Sequence, residues 1–313
     1  MIYQAEHIDQ THSSTVMRIQ TEENIEYALK IQTSSHQLAK EQDLKREYTI
    51  LKNLQHENII SVGEYFEDLA LDNFKDHSEV RGFTMELAQC DLLTYLKSNH
   101  PNPLHPVKAR QIFSGIAKAV QYLHSKNFAH NDIKLENVLI FENGEAKLSD
   151  FGFACNTSSP FQAEQWRYRA PSFLAPEMIK YLSKKPSAAS KDSNNQSTFD
   201  LTKTDSFAFG VCMFESLFFV LPFHSERAFE NDTYYSYIVL KNYEGFWEIP
   251  FIKRLTNIYQ RFFDSSEVRF AQLKDLLNKL LTRNPSERLS FNEILTHPWF
   301  QQMMDLSDDE SSC

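Results

Sequence analysis

In the first third of the chain, apolar residues come in short runs broken by polar turns. The segments "IYQAEHID", "STVMRIQ" and "EYALKIQ" are rich in β-formers, and "TEENIE" between the last two reads as a turn, so paired strands are expected. The pattern then changes period. In "QLAKEQDLKREYTILKNLQ", Leu44, Tyr48, Leu51 and the neighbouring Leu54 recur at helical spacing among charges, which predicts one amphipathic helix against the sheet. Candidate strands around "NIISVGEYFED" and "EVRGFTMEL" bring the total to five. From Pro106, a good first-turn residue, Ile112, Phe113, Ile116, Val120 and Leu123 trace a buried helical stripe, and the rest of the chain is mostly helical. The longest apolar run, Ser206 to Phe223, approaches membrane-spanning length. It carries Glu215 near its middle and ends close to Pro222, so it reads as a buried core helix.

Two segments fall outside this packing. "SKKPSAASKDSNNQST" (Ser183 to Thr198) is poor in apolar residues and rich in Ser and Asn, as a solvated insertion would be. "DLSDDESSC" at the end is an acidic tail. At 313 residues with 42% apolar content the chain can bury a sizeable, multi-lobed core. Its net charge of −10, without a basic stripe, argues against nucleic acid or an anionic membrane as partner and suits a cationic ligand or substrate. Four scattered cysteines without metal-ligand spacing, and an N-terminus without signal-peptide character, point to a reducing intracellular setting, the cytoplasm by default.

The chemistry concentrates in "AHNDIKLENVLI". His130, Asp132 and Asn137 stand at H-x-D-x-x-x-x-N spacing; the strand-like "NVLIFE" and "EAKLS" follow, then Asp150-Phe151-Gly152, and later Ala175-Pro176-Glu177. This order resembles the eukaryotic protein kinases over about Met1 to Gln302, and "HPWF" near the end resembles the calmodulin-dependent-kinase-like group. The resemblance implies an α+β, two-lobed fold. A small lobe (1–85) would hold a five-stranded antiparallel sheet with one main helix, a hinge (86–91) would follow, and a larger, mainly helical lobe (92–302) would carry the polar insertion 183–198. The acidic tail (303–313) would lie outside it.

The resemblance also implies the site. Asp132 would accept the proton of a protein hydroxyl as the γ-phosphoryl group of ATP is transferred, and Lys134 would steady charge on that group. Asn137 and Asp150 would be the hard oxygen ligands of Mg²⁺. Lys30 of "YALKI" would reach the α- and β-phosphates, aimed by Glu47, nine residues before His56 of "HENII". Val16 and Ala28 would cover one face of adenine, with Leu139 beneath. Met85 would be the gatekeeper, the Glu86 to Ala88 backbone the hinge, and Asp91 would reach the ribose. Leu51, Val62, Phe151 and His130 match the stacked residues that link the lobes, Asp205 the acid that anchors the catalytic loop, and Arg288 the buried partner of Glu177.

Three departures qualify this. The phosphate-covering G-x-G-x-x-G aligns with "DQTHSS" (Asp9 to Ser14), and no glycine occurs before Gly63, so weaker nucleotide binding is expected. Asn131 replaces the arginine that receives an activation-loop phosphate, and Ala170 replaces a threonine near the catalytic aspartate. The resulting expectation is a monomeric serine/threonine protein kinase that prefers arginine two or three positions upstream of the acceptor, through Asp91, Glu136 and Glu215. The alternatives are a pseudokinase acting as a scaffold and a small-molecule kinase on a related fold. "APE", "DSFAFG" and Arg288 disfavour the latter.

Overall fold

The computed structural model describes residues 2–10, 14–32, 42–69, 80–158, 170–183, 199–263 and 267–301. The expected strands form one antiparallel sheet: β1 (Ile2–Gln10), β2 (Thr15–Thr21), β3 (Glu26–Gln32), β4 (Val62–Leu69) and β5 (Val80–Met85), in the order β1-β2-β3-β5-β4. Between β3 and β4 lies helix α1 (Gln42–Lys52). The helical pattern begins at Gln37, but residues 33–41 lie outside the described residues.

Register explains how the sheet serves two purposes. Directly opposed residues share a face, so Val16 opposite Lys30, Ala28 opposite Met85 and Lys30 opposite Phe83 all project to one side. Met17, Ile19, Leu29 and Ile31 project to the other and form a small core of their own. On the first side α1 packs through Tyr48, whose ring lies 5.6 Å from Phe83 and 5.2 Å from Tyr65. Lys45, Thr49 and Lys52 of α1 face outward, whereas Glu47 is buried.

The large lobe starts with β6 (Cys90–Asp91), α2 (Leu92–Asn99) and α3 (Pro106–Ser125), followed by β7 (Phe128–Ala129), β8 (Val138–Ile140), β9 (Ala146–Leu148) and β10 (Cys155–Asn156). β6, β8 and β9 make a three-stranded sheet, and β10 pairs with β7. Then come α4 (Pro176–Leu182), α5 (Leu201–Phe218), α6 (Tyr235–Val239), α7 (Tyr243–Glu248), α8 (Pro250–Phe263), α9 (Glu267–Leu281), α10 (Phe291–Leu295) and α11 (Pro298–Gln301). The apolar run from Ser206 is α5, buried around its whole circumference and ended by Phe219 at φ 58°. It crosses α9 closely at Gly210, where a Cβ would lie 2.7 Å from Leu280 Cβ. No helix among the described residues is long and apolar enough to cross a membrane. Of the polar insertion only Ser183 is described, and the acidic tail lies wholly outside the described residues.

Arg288 is the largest fully buried side chain. Its guanidinium meets Glu177 through two parallel bonds of 2.7 and 2.6 Å, donates to the carbonyls of Thr282, Lys203 and Arg283, and lies over the Phe207 ring. All five donors are thereby engaged, which is the condition under which a buried charge is tolerated. Replacing Arg288 with Met leaves Glu177 unpaired against an apolar side chain. The expected loss is about 3–5 kcal/mol of stability, read from the denaturant midpoint at unchanged m-value.

Candidate active site

The segment between β7 and β8 is held from below by α5. Asp205, fully buried, accepts the backbone N–H of Asn131 on Oδ1 at 2.7 Å, and on Oδ2 the N–H of His130 at 2.8 Å, with His124 Nε2 also 2.8 Å away. Asn131 takes a left-handed conformation, φ 66°, that asparagine tolerates better than most residues. The His130 ring is buried, which lowers its basicity and keeps it neutral. Its Nε2 lies 3.1 Å from the Ser149 carbonyl and so carries the proton, leaving Nδ1 to accept from the Asp132 N–H at 3.3 Å. The same ring packs edge-on to Phe151 at 4.7 Å, and Phe151 shares the main core with Leu51 and Val62.

Asp132 is buried, with its Oδ2 accepting from Asn137 Nδ2 at 2.8 Å and 3.1 Å from Lys134 Nζ. Asn137 Nδ2 also donates to the Asp132 carbonyl at 2.7 Å, so its amide oxygen is the end left for another ligand. Burial alone would lower the affinity of Lys134 for its proton; the carboxylates around it, Asp132 foremost with Asp150 and Glu136, together raise it.

Across the cleft, Lys30 Nζ lies 2.8 Å from both oxygens of Glu47 and 2.9 Å from Asp150 Oδ1. Glu47 also accepts the Phe151 N–H at 3.1 Å. Asp150 sits at φ 57°, which turns its carboxylate toward Lys30. Burial pushes this carboxyl up, yet the ammonium prevails and holds it at about 2, so Asp150 is ionised at any working pH. An ionised carboxylate and a side-chain amide oxygen from adjoining segments fit Mg²⁺, which takes hard oxygen ligands.

Val16, Ala28 and Lys30 share the cleft-facing side of the sheet, and Leu139 of β8 stands half-buried in the opposite lobe. After β5, the Glu86 N–H donates to the Ser61 carbonyl at 3.2 Å, and Ala88 lies between β5 and β6. The Glu86 side chain does more than sequence reasoning foresaw: Oε1 accepts the Ser61 N–H at 2.7 Å and Oε2 pairs with Lys147. Asp91 caps α2, with its two oxygens accepting from the Thr94 N–H and hydroxyl at 2.9 and 2.7 Å. In the hairpin joining β1 to β2, Thr11, His12 and Ser13 lie outside the described residues, while Ser14 is buried. Arg46, unnoticed in the sequence, donates to the carbonyls of Gly152 and Ala154.

The sequence profile of the protein kinase domain matches residues 4–300. The chain belongs to this family. Mouse Aurora kinase C is 30% identical over 263 residues, covering 84% of this kinase and 76% of the relative. Serine/threonine-protein kinase Aurora-2 of Arabidopsis thaliana is 26% identical over 268 residues, with coverage of 85% and 77%. Human serine/threonine-protein kinase ULK3 is 29% identical over 263 residues, covering 82% of this kinase but 45% of the relative. Among such relatives the chain is a serine/threonine protein kinase, and ATP and Mg²⁺ are general features of the family.

Asp205→Asn tests the foundation of the site, because one oxygen becomes an NH₂ aimed at backbone donors. The kinase should lose about 1–3 kcal/mol of stability in denaturant unfolding. Peptide phosphorylation should fall with it.

Proposed function

We propose that this kinase transfers the γ-phosphoryl group of ATP to serine and threonine hydroxyls of proteins, with Asp132 as the proton acceptor. One observation carries the reading. The Asp132 carboxylate is held by Asn137 and Lys134 on one side of a cleft whose other side is the Lys30–Glu47–Asp150 cluster. Oδ2 of Asp132 is occupied by these donors, so the carboxylate has a fixed orientation toward an incoming hydroxyl. Lys134, already beside Asp132, reaches a transferring group with its charge. Lys30 neutralises phosphate oxygens while Glu47 and Asp150 keep it extended. Asn137 and Asp150 are the metal ligands of the proposal. Mg²⁺ held by these two residues would supply positive charge against the phosphates. Val16, Ala28 and Leu139 enclose the adenine, the backbone from Glu86 to Ala88 pairs with its edge, and Asp91 faces the ribose while capping α2.

The finer readings rest on the same frame. The unit comprises a small lobe to residue 85, a hinge over 86–91 and a large lobe to 302, with the insertion and tail outside the packing. The calmodulin-dependent-kinase-like affiliation is supported by the closing "HPWF", where Trp299 is buried and His297 Nε2 meets Asp275 at 2.9 Å. A phosphate-covering hairpin without glycine loosens the hold on ATP. Four cysteines scattered without metal-ligand spacing support an intracellular, cytoplasmic site of action, and the kinase is read as a monomer.

The preference for upstream arginine has support in Glu215. Its Oε2 is buried without a hydrogen-bond partner, and burial, aided by repulsion from Glu136, raises the carboxyl to about 7. A peptide guanidinium would supply both the missing donors and the missing charge.

Labelled ATP, Mg²⁺ and an arginine-bearing serine peptide test the central claim. Asp132→Asn should lower kcat by about 10²–10⁴-fold with nucleotide binding largely intact, whereas Asp150→Asn should weaken Mg²⁺-dependent nucleotide binding. Equal kinetics in wild type and both variants would refute the assignment. Arginine recognition has its own pH signature. Glu215 is neutral below about 7 and charged above it, so KM for the arginine peptide should fall by about tenfold between pH 6 and 8. A matched alanine peptide should show no such change, and neither should the Glu215→Gln variant.

A further inference from the structure

The segment Gly152–Cys155 is gripped from both lobes. On the small-lobe side, Arg46 of α1 donates Nη1 to the Gly152 carbonyl at 3.4 Å and Nη2 to the Ala154 carbonyl. On the large-lobe side, Asn131 Nδ2 lies 3.3 Å from the Phe153 carbonyl, 3.1 Å from Cys155 Sγ and 3.2 Å from the Ala129 carbonyl. Successive carbonyls at 152, 153 and 154 are therefore taken alternately by one lobe and the other. β10 continues the attachment: Cys155 pairs with Ala129, Asn156 with Phe128, and the Thr157 N–H donates to the Asn127 carbonyl at 2.8 Å.

Three features make Asn131 more than a filler. The amide cannot be turned over, since its oxygen would then face two carbonyls. Its Oδ1, as it stands, is buried without a hydrogen-bond partner, beside a small cavity lined by Asp132, Ala170, Phe173 and Thr204. A position that needed only φ 66° would be served by glycine with no orphaned oxygen, so the donors are what the site uses. Arg46 has a matching logic: it directly precedes Glu47, so whatever fixes it also fixes the helix that aims Lys30. Both grips end on carbonyls or a thiol, none of which carries a formal charge, and neither calls for a phosphate.

We propose that Arg46 and Asn131 are positioning residues forming a two-sided clamp on Gly152–Cys155, which sets the orientation of Asp150 in the unmodified protein. The inference rests on the kinase reading given above. Through the clamp, the tilt of α1, the carboxylate of Asp150 and the loop carrying Asp132 move as one unit. Phosphorylation of Thr157 or Ser158 adds little to an arrangement that is already tied.

The test uses the full chain after phosphatase treatment. Asn131→Gly keeps the backbone conformation and removes the donors; Asn131→Asp keeps the shape and turns donors into acceptors; Arg46→Met keeps the length and removes the charge. Amide hydrogen exchange over residues 152–157 should quicken by at least about tenfold in each variant, with the melting temperature within about 3 °C of wild type. kcat should fall by about tenfold or more while KM for the peptide changes less than about twofold. The Arg46→Met/Asn131→Gly double variant should fall little further than the worse single one, as members of one device do. Unchanged exchange in Asn131→Gly and Asn131→Asp would overturn the clamp. So would an effect on kcat that merely tracks melting temperature, or a wild type that phosphatase inactivates. If the wild type transfers no phosphate under any condition, the catalytic reading falls instead, and hydrogen exchange alone decides whether the clamp exists.

Discussion

A lysine ammonium buried in a cleft is tolerable only among carboxylates, and the two that Lys30 uses come from segments far apart in the chain. Glu47 belongs to α1 and Asp150 to the stretch after β9. Desolvation weakens the ammonium's hold on its proton, and the two carboxylates reverse the sign and raise it. Because the charge is compensated only when both segments are in place, one cation sets the distance between the sheet, α1 and the large lobe. The Glu47 contact with the Phe151 N–H then ties that balance to the core that holds Phe151 and His130. Electrostatics and apolar packing thus fix the same geometry by independent means.

The two sides of the cleft are supported differently. Beneath Asp132 lies α5, buried on every face, whose Asp205 presents fixed acceptors to the loop backbone. On the other side a sheet with a small separate core carries Lys30, joined to α1 by Tyr48 packing on Phe83 and Tyr65 and by the Lys30–Glu47 pair. A deep core resists local opening, whereas a small one yields more readily. Asp132, the proposed proton acceptor, therefore rests on the rigid element, and Lys30, proposed to face the phosphates, on the one able to adjust.

Most of this was legible in the residues. The five strands, the amphipathic helix and the buried helix from Ser206 follow from period and burial, and the structure changes only their limits: α1 is described from Gln42, and α5 stops at Phe218, where Phe219 turns left-handed. The carboxylates and amides of the site were readable because their chemistry demands particular side chains at particular spacings. What escaped was the use of backbone as partner. Arg46 reads as one more charge on a charged helix, and Asn131 reads as the loss of an arginine; neither reveals that it reaches the carbonyls of residues 152–154. Glu86 is expected to act through its backbone, yet its side chain also holds Ser61 and Lys147. A carbonyl acceptor is the same for every residue type, so no pattern of letters announces it.

The charges lining the cleft set a final condition on its chemistry. Glu47, Asp132 and Asp150 are three carboxylates against the ammonium groups of Lys30 and Lys134, and the buried His130 is neutral. The cleft is thus electronegative by one charge before a ligand arrives, within a chain whose own balance is −10. A bare triphosphate meets repulsion there that two lysines, already paired with carboxylates, cannot offset. A divalent cation accompanying the phosphates would reverse that balance, and Asp150, held ionised by Lys30, is its proposed ligand. The ion pair that looks like a stability device therefore also keeps a hard anionic oxygen available on the side of the cleft proposed to receive the phosphates.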